Sequence, residues 1–197
     1  MSLVKDTTTP ISGRLLSWPP LTEGILIKRY KRFMADVLLN DDRIVTAHCP
    51  NSGSMLGCCE PGRSVYLSES DNPKRRLRYT WEMISVPTSL VGVNTLVPNR
   101  LVRKAAEMGL LTAFQEFRRV RAEVPYGTNS RIDLLLENDE GARCYVEVKN
   151  CTLVEGDRAY FPDAVTSRGL KHLVELQRVV DEGGRGVMLI LIQRMDA

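Results

Sequence analysis

Ser130-Arg131-Ile132-Asp133-Leu134-Leu135-Leu136, then the turn signal Asn138-Asp139-Glu140-Gly141, then Arg143-Cys144-Tyr145-Val146-Glu147-Val148-Lys149 read as two strands joined in a hairpin. Side chains in a strand alternate between faces with period two. In the second run Cys144, Val146 and Val148 therefore share one face, and Glu147 and Lys149 share the other. In the first, Ile132, Leu134 and Leu136 point one way and Asp133 the opposite way. A lone carboxylate in an otherwise apolar strand is unfavourable unless a partner meets it.

Setting Asp133 across from Glu147 brings two carboxylates together. At ~5 Å and an effective dielectric of ~20 their repulsion is roughly 3 kcal/mol, so either one protonates or a cation binds between them. Oxygen ligands of this kind suit Mg²⁺ or Mn²⁺, with water and a phosphate oxygen completing the shell. Lys149 beside them could orient an attacking water or stabilise the charge that develops on phosphorus. Asp133, Glu147 and Lys149 are thus the candidate catalytic residues for phosphodiester hydrolysis, and Asp133 and Glu147 the candidate metal ligands. The plain alternative is an exposed ion pair between Glu147 and Lys149, with Asp133 capping a turn. Glu-x-Lys alone favours that alternative; an acid, a hairpin and then Glu-x-Lys on a buried strand favour the metal site.

Working outward, Pro98-Asn99 opens a helical stripe of Leu101, Val102, Ala105 and Met108 that Gly109 stops. Arg121–Pro125 reads as a strand and 126–130 as a loop. Past the hairpin, a helix over about Thr166–Val180 ends at Gly183-Gly184, and Gly186–Gln193 is a last apolar strand. The order α-β-β-β-α-β predicts an α/β domain over residues 96–197. Before residue 95 the texture is that of short strands: Leu21–Lys28, Phe33–Leu39, Arg43–His48, Ser64–Leu67 and Leu77–Val86, with Asn40-Asp41-Asp42 as a turn and Met55–Cys59 as a short helix. Five strands with one helical interruption suit a small closed barrel of the OB type over residues 1–95, and alternation alone leaves a sandwich open. The fold class predicted is therefore a two-domain α+β chain.

The net charge is only +3, but it is unevenly spread: residues 1–95 hold 12 Lys and Arg against 9 Asp and Glu, and the remainder 15 against 15. The excess lies in two clusters that each include an aromatic, Lys28-Arg29-Tyr30-Lys31-Arg32 and Lys74-Arg75-Arg76-Leu77-Arg78-Tyr79. A charged run by itself is usually a solvated face; two such runs flanking a strand-rich segment point to phosphate contacts. Lys28, Arg29, Lys31, Arg32, Lys74, Arg75 and Arg76 are accordingly nucleic-acid-binding candidates. Five cysteines form no CxxC pair, and vicinal Cys58-Cys59 is poor geometry for a zinc site with His48 and Cys49, so reduced, mostly buried thiols are expected. No apolar run is long enough to span a bilayer, and Met1–Pro10 lacks the apolar stretch of a secretory leader, so the expectation is a cytoplasmic protein without a membrane partner.

The Asp133, hairpin, Glu147-Val148-Lys149 arrangement resembles the PD-(D/E)xK nuclease superfamily, with Ile132 in place of the proline; the literal Pro162-Asp163 comes after Glu-x-Lys and cannot fill that role. The strings AHCPNSGSMLGC (47–58), VGVNT (91–95), YGTNSRIDLLL (126–136), YVEVKN (145–150) and FPDAVTSRGLKHLVEL (161–176) resemble the sugar fermentation stimulation protein (SfsA) family. The resemblance implies an N-terminal OB-fold, a PD-(D/E)xK nuclease-like C-terminal domain, and non-specific binding of DNA, single- or double-stranded, with a regulatory role in sugar metabolism. A metal-dependent nuclease is the alternative reading. Family members usually carry a glutamate on the first helix where this chain has Lys104, and Glu107, three residues on, could substitute as a metal ligand. The family usually continues past the last strand, whereas this chain stops at Ala197, so a shortened C-terminus is expected. Among the family-like residues, Asn51, Ser52 and Ser54 on a glycine-containing loop, and Arg131, Arg168, Lys171 and His172, are further phosphate-contact candidates. His172 has a secondary reading as a general base, and Glu123 as a further acidic ligand or an edge-strand charge. A second copy of the chain is a candidate partner.

Overall fold

A computed structural model describes residues 15–162 and 167–197, apart from the side chain of Arg168. The leader reading of residues 1–10, Asp163 of the Pro-Asp pair, Thr166 and the Arg168 side chain therefore lie outside the described residues. The chain divides into two compact units. Of the described residues one comprises 18–98, 149–162 and 190–197; the other holds 15–17, 99–148 and 167–189.

In the first unit β1 (Leu21–Tyr30), β2 (Met34–Leu39), β3 (Ile44–His48), β4 (Ser64–Glu69) and β5 (Tyr79–Ser85) form a closed barrel, with β6 (Leu90–Gly92) added beside β5. Neighbours run antiparallel in the order β3-β2-β1-β4-β5, and a short parallel pairing of Ala47 with Tyr79 and His48 with Thr80 closes the ring. Alternation decides what goes inside: Ala35, Val37 and Leu39 of β2 and Val65 and Leu67 of β4 are buried, and their neighbours are not. Leu26, Trp81 and Ile84 complete this core. The predicted short helix at 55–59 is absent. Met55 has φ 55° and Gly57 φ 71°, values a right-handed helix cannot hold, and the segment is instead a turn that drives Met55 and Cys58 into the barrel core.

Four of the five thiols, Cys49, Cys58, Cys144 and Cys151, are buried, and all five are unpaired by disulfide. Buried Glu82 is satisfied, accepting from Ser68 Oγ and Asn94 Nδ2 at 2.6 Å each. Gln193, just past the last strand, donates from Nε2 to Gly92 O and to Asn150 Oδ1.

The second architecture begins with α1 (Leu96–Glu107), which starts two residues before the predicted Pro98 because Asn94 Oδ1 accepts from the Leu96 amide and proline is tolerated in a first turn. After a 3-10 turn (Thr112–Phe114) come β7 (Arg119–Tyr126), β8 (Ser130–Glu137) and β9 (Arg143–Cys151), then a small hairpin, β10 (Leu153–Glu155) with β11 (Arg158–Tyr160), α2 (Ser167–Asp181) and β12 (Arg185–Ile192). The sheet order is β12-β9-β8-β7. The predicted hairpin is present, with Leu134 opposite Val146 and Glu137 opposite Arg143, and its turn is fastened by the Ala142 amide donating to Asn138 Oδ1 at 2.8 Å. Leu134, Leu135 and Leu136 are all buried, as befits an interior strand. Leu176 of α2 packs with Ile132 and Leu135, and Gly186 permits the approach of α2, since a Cβ there would sit 3.1 Å from Leu176. No helix among the described residues is long and apolar enough to cross a membrane.

Candidate functional site

The β8–β9 hairpin, α1 and α2 deliver one cluster of polar side chains. The ladder of β8 and β9 runs from Glu137–Arg143 to Leu134–Val146, and Asp133 and Glu147 are the residues that follow directly at its end. There the carboxylate itself enters the backbone pattern: Asp133 Oδ2 accepts from the Val148 amide at 2.7 Å, while Oδ1 accepts from Asn99 Nδ2 of α1 at 2.8 Å. Glu147 is 2 % exposed, and its Oε1 is in direct contact with Nδ1 of His172 from α2. Glu147 is therefore buried rather than exposed, and Asp133 bonds a strand amide rather than capping a turn. Lys149 is half-buried two residues further along β9.

A third acid, not anticipated, stands on α2. Glu175 lies three residues beyond His172, is 3 % exposed, and accepts from the Thr128 amide at 3.2 Å through Oε1. Lys171 donates to Thr128 O at 2.9 Å, so α2 grips the β7–β8 turn from two positions. A hydrogen bond from Ser130, then the Thr128 amide, Lys171 and His172, outweigh burial and hold the Glu175 carboxyl below the usual glutamate range. Gly127 in that turn has φ 54°, and a Cβ there would come within 3.0 Å of the Glu175 carboxyl. Tyr126 next to it is pushed up to about 12 by burial, then by the charges of Glu147, Glu175 and Asp133. These shifts place the phenol in the field of all three acids.

Helix spacing is the signal that could have found the inward polar side chains on the helices. Glu175 follows His172 at the i, i+3 spacing that puts both on one helix face, and Asn99 sits on the same stripe as buried Val102 and Ala106. Glu107 pairs with Arg103 at 2.7 Å on the exposed face of α1, and Asn99 is the α1 residue that reaches Asp133. Among the described residues no three His, Cys, Asp or Glu side chains form a metal-holding group, which covers His48 with Cys49, Cys58 and Cys59 as well. Arg131 donates to the Glu123 carbonyl at 3.0 Å across β7 and β8, and the Glu123 side chain is exposed.

In the barrel unit the two basic clusters fall on two connections. Lys31 and Arg32 form the tip between β1 and β2, both exposed and both at positive φ, 49° and 63°, with half-exposed Phe33 following. Non-glycine residues in that region carry strain of order 1–3 kcal/mol that the surrounding structure must hold. Lys28 pairs with Asp36 at 3.5 Å, its Nζ 5.4 Å from the Tyr30 ring centre. Arg29 is turned inward: its guanidinium donates to Arg32 O, Asn51 O and Gly53 O at 2.9–3.1 Å. Lys74 and Arg76 are exposed on the β4–β5 connection, while Arg75 donates to Thr80 Oγ1 at 2.7 Å. The register sets both connections at one end of β3, because His48 lies between Met34 of β2 and Thr80 of β5 and the Cys49 amide donates to Phe33 O. Asn51 and Ser54 follow directly, buried and half-buried, with Ser52 exposed between them.

Comparison with known proteins agrees along most of the chain. Residues 27–93 match the SfsA N-terminal OB domain, and residues 96–197 match the sugar fermentation stimulation protein RE domain. The sugar fermentation stimulation protein homolog of Geobacter sulfurreducens is 60% identical over 177 residues, covering 90% of this chain and 75% of the relative. That of Pelobacter propionicus is 59% identical over 179 residues, 91% and 77% of the two chains. Among solved structures, Pyrococcus furiosus SfsA in complex with Ca²⁺ superposes with a TM-score of 0.85 at 26% identity, over 94% of this chain and 78% of that one. The chain belongs to the sugar fermentation stimulation protein family, with an OB barrel followed by a helix-flanked mixed sheet.

Proposed function

We propose that the protein binds DNA through the phosphate backbone without reading sequence, and that Asp133 and Glu147 make a divalent-cation site in the second unit. The observation that carries the binding reading is the placement of Lys31, Arg32, Lys74 and Arg76 on the β1–β2 and β4–β5 connections. Those are the two loops with which OB barrels grip oligonucleotides. Exposed cations interleaved with Phe33 and Tyr30 suit a strand whose phosphates need neutralising and whose bases offer stacking faces. The free thiols fit a reducing cytoplasm, and the relatives' name directs the physiological consequence toward sugar metabolism.

The test is the salt dependence of binding to a labelled oligonucleotide. Each phosphate contact contributes a slope of about 0.9 in log K against log salt for duplex and about 0.7 for single strands. Lys31→Glu, Arg32→Glu, Lys74→Glu and Arg76→Glu together should abolish binding at low salt. Wild-type affinity that ignores salt, or a quadruple variant that binds as well as wild type, would defeat the reading.

The second reading is a Mg²⁺- or Mn²⁺-dependent nuclease acting on DNA or RNA, favoured by a buried glutamate and a hydrogen-bonded aspartate. Two hard carboxylates suit such an ion, which commonly takes one or two protein carboxylates and leaves its other positions to water and phosphate. When bound, the ion would lower the pKa of a coordinated water and neutralise phosphate charge. The chain's own contribution is orientation: the Val148 amide and Asn99 fix the Asp133 carboxylate, and His172 fixes Glu147. Lys149 contributes positive charge on the same strand. Cleavage by wild type under titrated Mn²⁺, set against Asp133→Ala and Lys149→Ala, separates the readings; equal residual activity in all three means no catalysis by this site.

A further inference from the structure

The barrel unit holds a cleft that the phosphate grip leaves unused. It has a volume of about 60 Å³ and is lined by Asn51, Thr95, Asn150, Thr152, Tyr160 and Phe161, together with Gly53 and Cys151. None of these residues carries a charge. Its floor is rigid: Asn51 and Thr152 are 7 % and 6 % exposed, and the Cys151 thiol donates to Tyr160 O at 3.2 Å. Its rim is aromatic, with Tyr160 and Phe161 43 % and 36 % exposed.

The hydrogen bonds around the cleft determine which way its two amides face. Asn51 must accept with Oδ1, because its partner at 2.8 Å is the Gly53 backbone N–H. Gln193 meets the carbonyls of Gly92 and Asn94, at 3.2 and 3.5 Å, so the atom it presents there is the donating Nε2. That same Nε2 meets Asn150 at 2.8 Å, and Asn150 must therefore also accept with Oδ1. Both amides are thereby oriented, each oxygen turned toward its donor, and no described residue accepts from either NH₂. The cleft thus presents two amide donors and seeks acceptors.

Size narrows the ligand. The space is far below the ~300 Å³ of a pocket that engulfs a small molecule. A planar ring inserting only an acceptor-bearing edge fits, its face resting on exposed aromatics. We infer that this cleft receives the edge of a nucleobase from an unpaired strand, Asn51 and Asn150 donating to its carbonyl or ring-nitrogen acceptors while Tyr160 or Phe161 stacks on its face. The inference rests on the nucleic-acid-binding reading and adds strandedness to it: a base stacked within a duplex cannot present itself this way.

Fluorescence anisotropy at low salt decides it, with three labelled probes of equal length: oligothymidylate, the same backbone with abasic sites throughout, and a duplex. Wild type should bind oligothymidylate about tenfold more tightly than the abasic strand, the effect of one stacked base. Tyr160→Ala, at a half-exposed position, should lose that tenfold on oligothymidylate and nothing on the abasic strand. Asn150→Asp keeps the acceptor for Gln193 but replaces the donor, and its repulsion of the backbone acts on both strands alike. It should therefore close the gap between them. Equal wild-type affinity for the base-bearing and abasic strands, or equal losses on both in Tyr160→Ala and Asn150→Asp, overturns the inference and leaves the phosphate grip standing. Failure to bind any probe overturns both.

Discussion

Nδ1 of His172, on the second helix, lies against Oε1 of Glu147, on the central hairpin, and the two side chains are 14 % and 3 % exposed. The contact explains how a carboxylate can be buried in a strand without destroying it. Removing a partner from a buried polar group costs about 1–3 kcal/mol. His172→Ala should lower the thermal midpoint by several degrees in a chain of this size, and His172→Gln, which keeps a donor, should recover part of the loss. Calorimetry that finds His172→Ala as stable as wild type would remove His172 as the partner of Glu147.

Two arginines from one cluster should behave oppositely. Arg29 holds the carbonyls of Asn51 and Gly53, whereas Arg32 is exposed at a turn tip. Arg29→Ala is expected to cost about 1–3 kcal/mol of stability, measured by urea unfolding. Arg32→Ala should leave the urea midpoint in place and reduce the salt slope of duplex DNA binding by about 0.9. Interchanged outcomes would show that Arg29, not Arg32, meets phosphate.

Acid should act through Glu175. Its folded carboxyl is held below the ordinary value of 4.5, so below that value the unfolded chain takes up the proton first. The stabilisation is full above the unfolded pKa and disappears as pH falls through the lower folded one. Glu175→Gln should therefore be less stable than wild type at neutral pH, the gap narrowing as the pH drops below about 4.5. Melting curves from pH 7 to pH 2 check the sign, and a gap that widens in acid contradicts it.

Thiol chemistry should be selective. Burial pushes Cys58 and Cys144 up to about 11 each and raises Cys49, and Cys151 is also buried. Only half-buried Cys59 should react readily with an aromatic disulfide reagent at pH 8, the rest following at the rate of unfolding. Mass mapping of the first adduct to any other cysteine would contradict these environments.

Local signals carried the hairpin and both helix ends: period-two alternation, Asn138 with Gly141 in a turn, and Gly109 and Gly183 past their helices are all decided within a few residues. Closure of the barrel was of another kind, since Ala47 meets Tyr79 across a parallel pairing that no neighbouring residue specifies. Met55–Cys59 misled because apolar residues at helical spacing look alike whether they sit on a helix or plug a barrel through a left-handed turn. In the site, Asp133 stood out as a charge in an apolar strand. Glu175 and Asn99 did not, because a polar residue in an amphipathic helix resembles a solvated one until the opposing face is known.

Gly127 and Glu175 carry a consequence for descent. A methyl group at the turn residue would press on the helix carboxyl 3.0 Å away, which would have to give way, and its φ of 54° separately disfavours a side chain. Across distant relatives the two positions should change together: a lineage that shortens the acid to aspartate frees space for asparagine in the turn, whereas one that keeps the glutamate retains glycine.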